Sequence, residues 1–261
     1  MPLTFPSHAA AILPLRRVPG LRRLPTVALV IGSAAPDLVY LVGTLGGAAH
    51  RPLGLLLYCL PAGLAAYLYL EALVLPVVAP SLQAIAPASW RAAVRWIVGP
   101  RPLPRGLRGW IAVALALVLG AATHQLWDGF THAWLWPARV LYPEMTLAIA
   151  GRPVALARVL QHTSSVVGLG IVLVFLWRRA PTSTEDAPSP EVRRAAARRL
   201  ARLLVAPAIA GCVAAGVRLR LPDPLVTRAL WDAAWSAAAW SLALLGGIAA
   251  LARIRRRRAI E

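Results

Sequence analysis

Residues 111–132 read IAVALALVLGAATHQLWDGFTH, a long apolar run that ends in polar side chains. Such a run is typical of a helix that crosses a membrane. An α-helix completes a turn in 3.6 residues, so His124, Asp128 and His132 share one face over two turns. An Asp at the centre of a membrane helix costs about 2.5–3.5 kcal/mol on insertion scales. The stretch therefore predicts a membrane helix, and the two histidines beside the carboxylate indicate a bound metal ion.

The composition is that of a membrane protein. Hydrophobic residues make up 59% of the 261 residues and charged residues 15%, whereas soluble proteins carry about 25% charged residues. All 28 basic residues are Arg, the net charge is +18, and the arginines cluster between apolar runs. In that position they orient helices and contact anionic headgroups. We therefore expect membrane lipids as partners and no nucleic acid.

Six apolar stretches predict an all-α, polytopic membrane helix bundle with about six transmembrane helices. They are residues 24–46, 53–78, 109–132, 159–177, 203–217 and 228–251. Ser7 is a plausible N-cap for a helix that starts at His8 and is too short to span. Trp and Arg side chains in residues 80–108 predict a short interfacial helix.

The polar segments divide the chain into three predicted parts. Residues 1–180 form a membrane bundle that carries the polar site, with four spans and the short N-terminal helix. Residues 181–190 (PTSTEDAPSP) are turn-rich and predict a linker. Residues 191–261 form a basic helix and two C-terminal spans.

The arginines also predict a topology. Arg-rich and Arg-poor connections alternate between the six stretches, so the positive-inside rule places both termini on the cytoplasmic side of the inner membrane. The ends of the first, third and fifth spans then lie outside, on the side of His132. His8 conflicts with this arrangement. Either the N-terminal helix folds back into the bundle, or His8 is not part of the site, or the span count is wrong by one.

Every histidine falls in the first 162 residues, and two carboxylates accompany them inside apolar stretches. These candidate ligands are His8, Asp37, His50, His124, Asp128, His132 and His162. Neutral imidazole and carboxylate suit Zn, Mn or Fe, and such an ion lowers the pKa of a bound water to about 7. Water activated in this way hydrolyses an ester or a phosphodiester.

Structural roles explain the same residues in another way. The stripe on residues 124–132 can be a hydrogen-bonded cluster that pins two helices together. Asp37, which follows Pro36, can cap a helix end. Glu71 inside the second span can be part of a site or can join helices.

Four short motifs resemble an uncharacterised bacterial membrane family, domain-of-unknown-function family 4184. They are Pro6-Ser7-His8-Ala9-Ala10-Ala11, Gly32-Ser33-Ala34-Ala35-Pro36-Asp37, His124 to His132, and Gln161-His162-Thr163-Ser164-Ser165. The segment from His50 to Pro61 also looks like the family's second-helix start. The resemblance covers roughly residues 1–180 and implies a membrane protein whose activity is not established.

The order of the polar residues is similar to the ligand order of zinc-dependent phospholipase C and related nucleases. It also looks like that of membrane-bound metal-dependent hydrolases related to the LexA-binding inner-membrane protein. The phospholipase pattern has a Glu four residues after the last His, where this chain has Val166, and its N-terminal Trp ligand is absent. With these two departures, the likeness implies a site for one or two divalent ions rather than three, and Zn is the ion that matches it best.

The sequence thus favours a metal-dependent hydrolase of phosphoester or lipid-like substrates. The arginines would attract those substrates that carry an anionic headgroup. Asp37, His50, His124 and Asp128 would hold one metal. His132, His162 and His8 would complete a second position, and Asp37 or Asp128 would act as general base. The alternative is a non-enzymatic membrane protein: an ion- or proton-coupled transporter, a scaffold, or a regulator that binds a partner through residues 181–202.

Overall fold

A computed structural model describes residues 6–42, 45–178, 187–219, 237–238 and 241–250. The chain is mostly helical, as predicted. Its helices are α1 (Ala9–Ile12), α2 (Thr26–Gly32), α3 (Ala35–Leu38), α4 (Gly46–Ala49), α5 (Leu55–Ile85), α6 (Arg91–Val98), α7 (Leu107–Thr131), α8 (Ala138–Leu141), α9 (Leu156–Arg178), α10 (Pro190–Leu219) and α11 (Ser241–Ala250).

Three of these helices, α5, α7 and α9, are long and apolar enough to cross a membrane. They correspond to the second, third and fourth predicted spans. Helix α5 contains two wider π-helical turns, at Leu55–Cys59 and Tyr69–Val74. The chain divides into two compact units, one formed by Met1–Ala65 and Pro104–Phe175, the other by Ala66–Leu103 and Leu176–Glu261.

In the first unit, glycines bring α2 and α7 into close contact. A Cβ atom on Gly32 would overlap the backbone of Leu117, and one on Gly120 would overlap the carbonyl oxygen of Leu29. Small residues allow such backbone approach between apolar helices. As a result Ser33, at the end of α2, lies against His124 of α7.

The predicted first span, residues 24–46, is not one continuous helix, so this prediction is wrong. Helix α2 ends at Gly32, α3 starts immediately before Pro36, and a 3₁₀ turn follows at Val39–Val42. Proline has no N–H to donate and therefore favours a new helix start at this point. The break carries Asp37 to the end of α7 that holds Asp128.

Two local features differ from the expectations. The cap position of α1 is His8 rather than Ser7, and it makes no side-chain capping hydrogen bond. The connection between α7 and α9 contains a β-hairpin, β1 (Thr146–Ile149) and β2 (Arg152–Ala155), which an all-α prediction omits. Its turn residues, Ala150 and Gly151, have φ angles of 49° and 75°, as a type I′ turn requires.

In the second unit, Glu71 on α5 is buried and pairs with Arg101. Arg101 Nη2 lies 3.0 Å from Glu71 Oε1, and the same guanidinium donates to the carbonyls of Trp96 and Ile97. This is the helix-joining role that the sequence left open for Glu71. The predicted interfacial helix of residues 80–108 is confirmed as a helix, α6.

The C-terminal predictions are described only in part. The basic helix and the predicted fifth span form one continuous helix, α10, whose Arg199 donates to the carbonyl of Val77. Among the described helices, neither α10 nor α11 has the length and hydropathy of a membrane span. Much of the predicted linker and of the predicted sixth span lies outside the described residues.

Candidate metal centre

Five of the predicted ligands converge in the first unit, although they come from separate segments of the chain. His8 precedes α1, Asp37 lies in α3, His50 follows α4, and His124 and Asp128 lie in α7. All of them are buried except Asp37, which is half-buried. The folding back of the N-terminal segment thus removes the conflict that His8 posed for the site.

Asp128 is the centre of the cluster. Its Oδ2 atom lies 3.2 Å from His124 Nε2 and 3.5 Å from His50 Nε2, and its Oδ1 atom lies 3.7 Å from His8 Nε2. Asp37 Oδ1 lies 3.7 Å from His50 Nε2 and 3.8 Å from His124 Nε2. Ligand atoms about 2.0–2.1 Å from a tetrahedral ion are about 3.3 Å apart. The observed separations therefore suit a shared cation.

Backbone carbonyls orient two of the imidazoles. His124 Nδ1 lies 2.8 Å from the carbonyl oxygen of Ser33, and His50 Nδ1 lies 2.7 Å from that of Gly46. A carbonyl only accepts, so both Nδ1 atoms carry the proton. In the neutral form of these rings, the lone pairs of both Nε2 atoms face the carboxylates. Metal-binding histidines are commonly oriented by such a hydrogen bond from the other ring nitrogen.

Two buried ring nitrogens have no hydrogen-bond partner among the described residues, His124 Nε2 and His8 Nδ1. Buried polar atoms are nearly always paired, so a metal ion at His124 Nε2 would satisfy an otherwise unmatched lone pair. The rings of His8 and His124 stack with their centroids 3.9 Å apart. Burial, together with the neighbouring His124, lowers the pKa of His8 to about 3, which keeps this imidazole neutral and able to bind metal.

Two overlapping groups of residues could hold a metal ion: His8, Asp37 and His124, and His50, His124 and Asp128. Within each group the ligand atoms lie within 4.8 Å of one another. Both groups need His124, whose Nδ1 already donates to Ser33. A single Nε2 lone pair binds one ion, so the two groups compete rather than fill together.

His132 supports Asp128 from the end of α7. Its Nε2 accepts a hydrogen bond of 2.9 Å from the amide of Gln161, and its Nδ1 lies 3.6 Å from Asp128 Oδ2. Burial lowers the pKa of His132. With Nδ1 protonated, this imidazole donates to the backbone carbonyl of Asp128 at 3.3 Å, and it joins neither of the two ligand groups.

The structure does not bring His162 into the cluster. Its side chain is exposed on α9, whereas the preceding residue, Gln161, contacts His132. Successive residues of a helix point about 100° apart, so these two side chains face different surroundings.

Sequence reasoning missed the residues that position the ligands. The Gln125 amide donates to the carbonyls of Ala49 and Arg51, at 2.8 and 3.1 Å, and so ties the segment around His50 to α7. Gln125 lies beside His124 in the polar stretch of α7, and a polar residue at this position could have indicated a role near the ligands. The Ser33 and Gly46 carbonyls are backbone atoms, which carry no sequence signal.

Asp37 and Tyr40 form the more open edge of the site. The Asp37 side chain is 17% exposed and that of Asp128 only 8%. Tyr40 is half-buried. Its ring lies 5.8 Å from that of His50, near enough for a ligand at the cluster to reach both.

Comparison with known proteins identifies the family. The family described as "Domain of unknown function (DUF4184)" matches residues 1–251. The chain belongs to this family. The match confirms the resemblance and extends it beyond residue 180. No curated protein and no solved structure matches the chain. The DUF4184 description names no activity.

Proposed function

We propose that the chain is a membrane-embedded, metal-dependent hydrolase that acts on phosphoester or lipid-like substrates. One observation carries the proposal: the Nε2 atoms of His50 and His124 both face Asp128, while their Nδ1 atoms are held by carbonyls. In a neutral ring with its proton on Nδ1, the Nε2 lone pair of His124 would face the Asp128 carboxylate at 3.2 Å, and a cation between the two would remove that repulsion.

We propose that His50, His124 and Asp128 would hold the ion, with Asp37 and His8 beside them in the cluster. Two or three imidazoles with carboxylates suit zinc. When bound, such an ion would polarise the phosphoryl or carbonyl oxygen of an ester substrate and would lower the pKa of a bound water to about 7. Since both ligand groups draw on His124 Nε2, we propose one ion rather than two. His132 positions Asp128 in this scheme.

Asp37 is the better candidate for the general base. Its carboxylate lies at the open edge, where water and substrate arrive, and Oδ1 can accept a proton from water held beside His50 and His124. Asp128 is enclosed by imidazoles and is suited to ligation.

The proposed setting is the inner membrane, crossed several times, with both termini in the cytoplasm. The three long apolar helices and the alternation of Arg-rich connections support this topology. Six spans remain part of the proposal. Exposed arginines would attract anionic headgroups.

A non-enzymatic role is the second candidate, favoured by the burial of His8 and His124, whose residues are 4% and 0% exposed. In a scaffold or an ion-coupled transporter, the cluster would bind its cation without an open position for water.

Activity of the purified full chain separates the two roles. The zinc-loaded protein is assayed in vesicles against a phosphomonoester, a phosphodiester and a phospholipid, with release followed by phosphorus NMR. Asp37→Asn should keep zinc and lose about 100-fold or more in rate. Glu144→Gln, at an exposed carboxylate, is the matched control. No turnover by the loaded parent, or an Asp37→Asn rate equal to the parent's, would contradict the hydrolase.

A further inference from the structure

The connection between α7 and α9 exposes large apolar side chains. Six of them form what we call the apolar rim: Trp134, Trp136, Val140, Leu141, Leu147 and Ile149. Trp136 is 70% exposed and Trp134 56%. Large exposed apolar patches mark surfaces that meet a partner or a membrane.

The apolar rim is seated firmly on the end of α7. A Cβ on Gly129 would lie 2.5 Å from the carbonyl oxygen of Trp136, so only glycine allows this approach. The Tyr142 hydroxyl donates to the carbonyl of Phe130. The hairpin side is joined to α9 by a 2.8 Å hydrogen bond from Leu156 N to the Met145 carbonyl. The exposed side chains thus belong to a supported surface.

The position of this surface favours a bilayer as its partner. Helices α7 and α9 both have the length and hydropathy of membrane spans, and a connection between two spans lies at a membrane face. Trp is enriched at that depth. Three exposed arginines accompany the rim, Arg139, Arg152 and Arg158, and complement anionic headgroups.

The same end of α7 carries the cluster. Asp128 lies within one turn of the helix end, and His132 is the first residue after it. The ring of His132 lies 5.7 Å from that of Trp134. A lipid headgroup held at the rim would therefore be beside the cluster.

We propose that the apolar rim seats in the headgroup layer of the bilayer and that the substrate is a membrane lipid phosphoester, taken from that layer. The substrate assignment rests on the proposed hydrolase function, whereas the seating of the rim does not.

Depth-dependent quenching tests the seating. In a Cys212→Ser background, which removes an exposed thiol and keeps the buried Cys59, a fluorophore is placed at Trp136→Cys or Ile149→Cys. Val167→Cys, exposed in the middle of α9, is the control. The full chain is studied in phosphatidylethanolamine–phosphatidylglycerol vesicles that carry spin labels at the headgroup or in the acyl chain.

The rim fluorophores should be quenched most by the headgroup spin label and the Val167→Cys fluorophore most by the acyl label. Quenching of the rim positions by aqueous iodide, with none from either lipid label, would overturn the seating. So would protection from all quenchers together with disulfide cross-links between two copies, since the rim would then contact a second copy.

A paired activity measurement tests the substrate class. Trp136→Ser/Ile149→Ser should lower hydrolysis of bilayer phospholipid about 10-fold and leave hydrolysis of a short, water-soluble phosphodiester and the zinc content unchanged. Trp177→Ser, at an exposed Trp on the opposite end of α9, is the control. Equal loss on both substrates, or loss on neither, would overturn the assignment. A parent without any activity contradicts the hydrolase, and the quenching result still decides the seating.

Discussion

The Nε2 atom of His124 lies 3.2 Å from Oδ2 of Asp128, one turn further along α7. The same carboxylate oxygen is 3.5 Å from His50 Nε2, so two ring nitrogens converge on one anionic oxygen. A buried arrangement of this kind is balanced by protons or by a cation. The Nδ1 atoms already donate to carbonyls, so the balancing charge lies at Nε2, and we propose that a metal ion supplies it.

Histidines inside and outside the cluster should differ in their effect on metal binding. His50→Ala removes a nitrogen that faces Asp128 and should weaken zinc binding by more than about 100-fold, since even outer partners are worth 10- to 100-fold. His162→Ala, at an exposed side chain, should leave the affinity unchanged. Zinc titration of the full chain in detergent, with a competing chelator, measures both. Equal losses of zinc affinity in the two variants would contradict the assignment of His50, but not His162, to the cluster.

The contact between α2 and α7 should be intolerant of side-chain volume. Gly120→Val forces a branched side chain against the Leu29 carbonyl, and such overpacking costs about 1–3 kcal/mol in the free energy of unfolding. Gly170→Val, in α9 where a Cβ meets open space, is the matched control. Thermal unfolding of the two variants should show a lower midpoint for Gly120→Val alone. The same variant should also bind zinc more weakly, because the added side chain displaces α2 and so moves the Ser33 carbonyl away from His124, whose ring it orients.

The stability of the metal-free protein should fall as the pH falls below about 6.5. The pKa of His8 is about 3 in the folded state, against 6.5 ordinarily, so between these values the unfolded chain binds the extra proton. The free energy of unfolding then rises with pH, by up to about 1 kcal/mol per pH unit. In chelator-treated protein, the thermal midpoint should drop between pH 6.5 and 5. His8→Phe, which keeps an aromatic ring, should flatten this dependence, and an unchanged slope would contradict the shift.

Much of the candidate site could be predicted from the sequence. Helical periodicity alone placed His124 and Asp128 on one face of α7, and that geometry does not depend on tertiary structure. The predicted stripe does not extend to His132, because the helix ends at Thr131 and His132 has an extended backbone. The choice of His8, Asp37 and His50 rested on residue type within apolar surroundings. Their convergence depends on long-range packing, in particular on the glycine contacts of α2 with α7, which periodicity does not encode.

The exposed position of His162 could not be predicted from the sequence. Helix α9 carries five consecutive polar residues, Gln161 to Ser165, and only 6% of its span-forming segment is buried. Five consecutive residues cover every side of a helix, so the sequence does not reveal which face meets α7. In the structure Gln161, rather than His162, contacts His132. The break at Pro36 was visible in the sequence, but hydropathy counted residues 24–46 as one span. The hairpin turn at Ala150 and Gly151 lacks the Asn-Gly or Asp-Gly pair that usually signals such turns.

Metal analysis of the purified full chain tests the central claim most directly. After incubation with zinc and removal of excess ion, we predict about one divalent ion per chain in the parent. The His124→Ala/Asp128→Ala double variant should hold almost none, with its helical content retained by circular dichroism. A parent without stoichiometric metal, or a double variant with the metal content of the parent, would contradict the account.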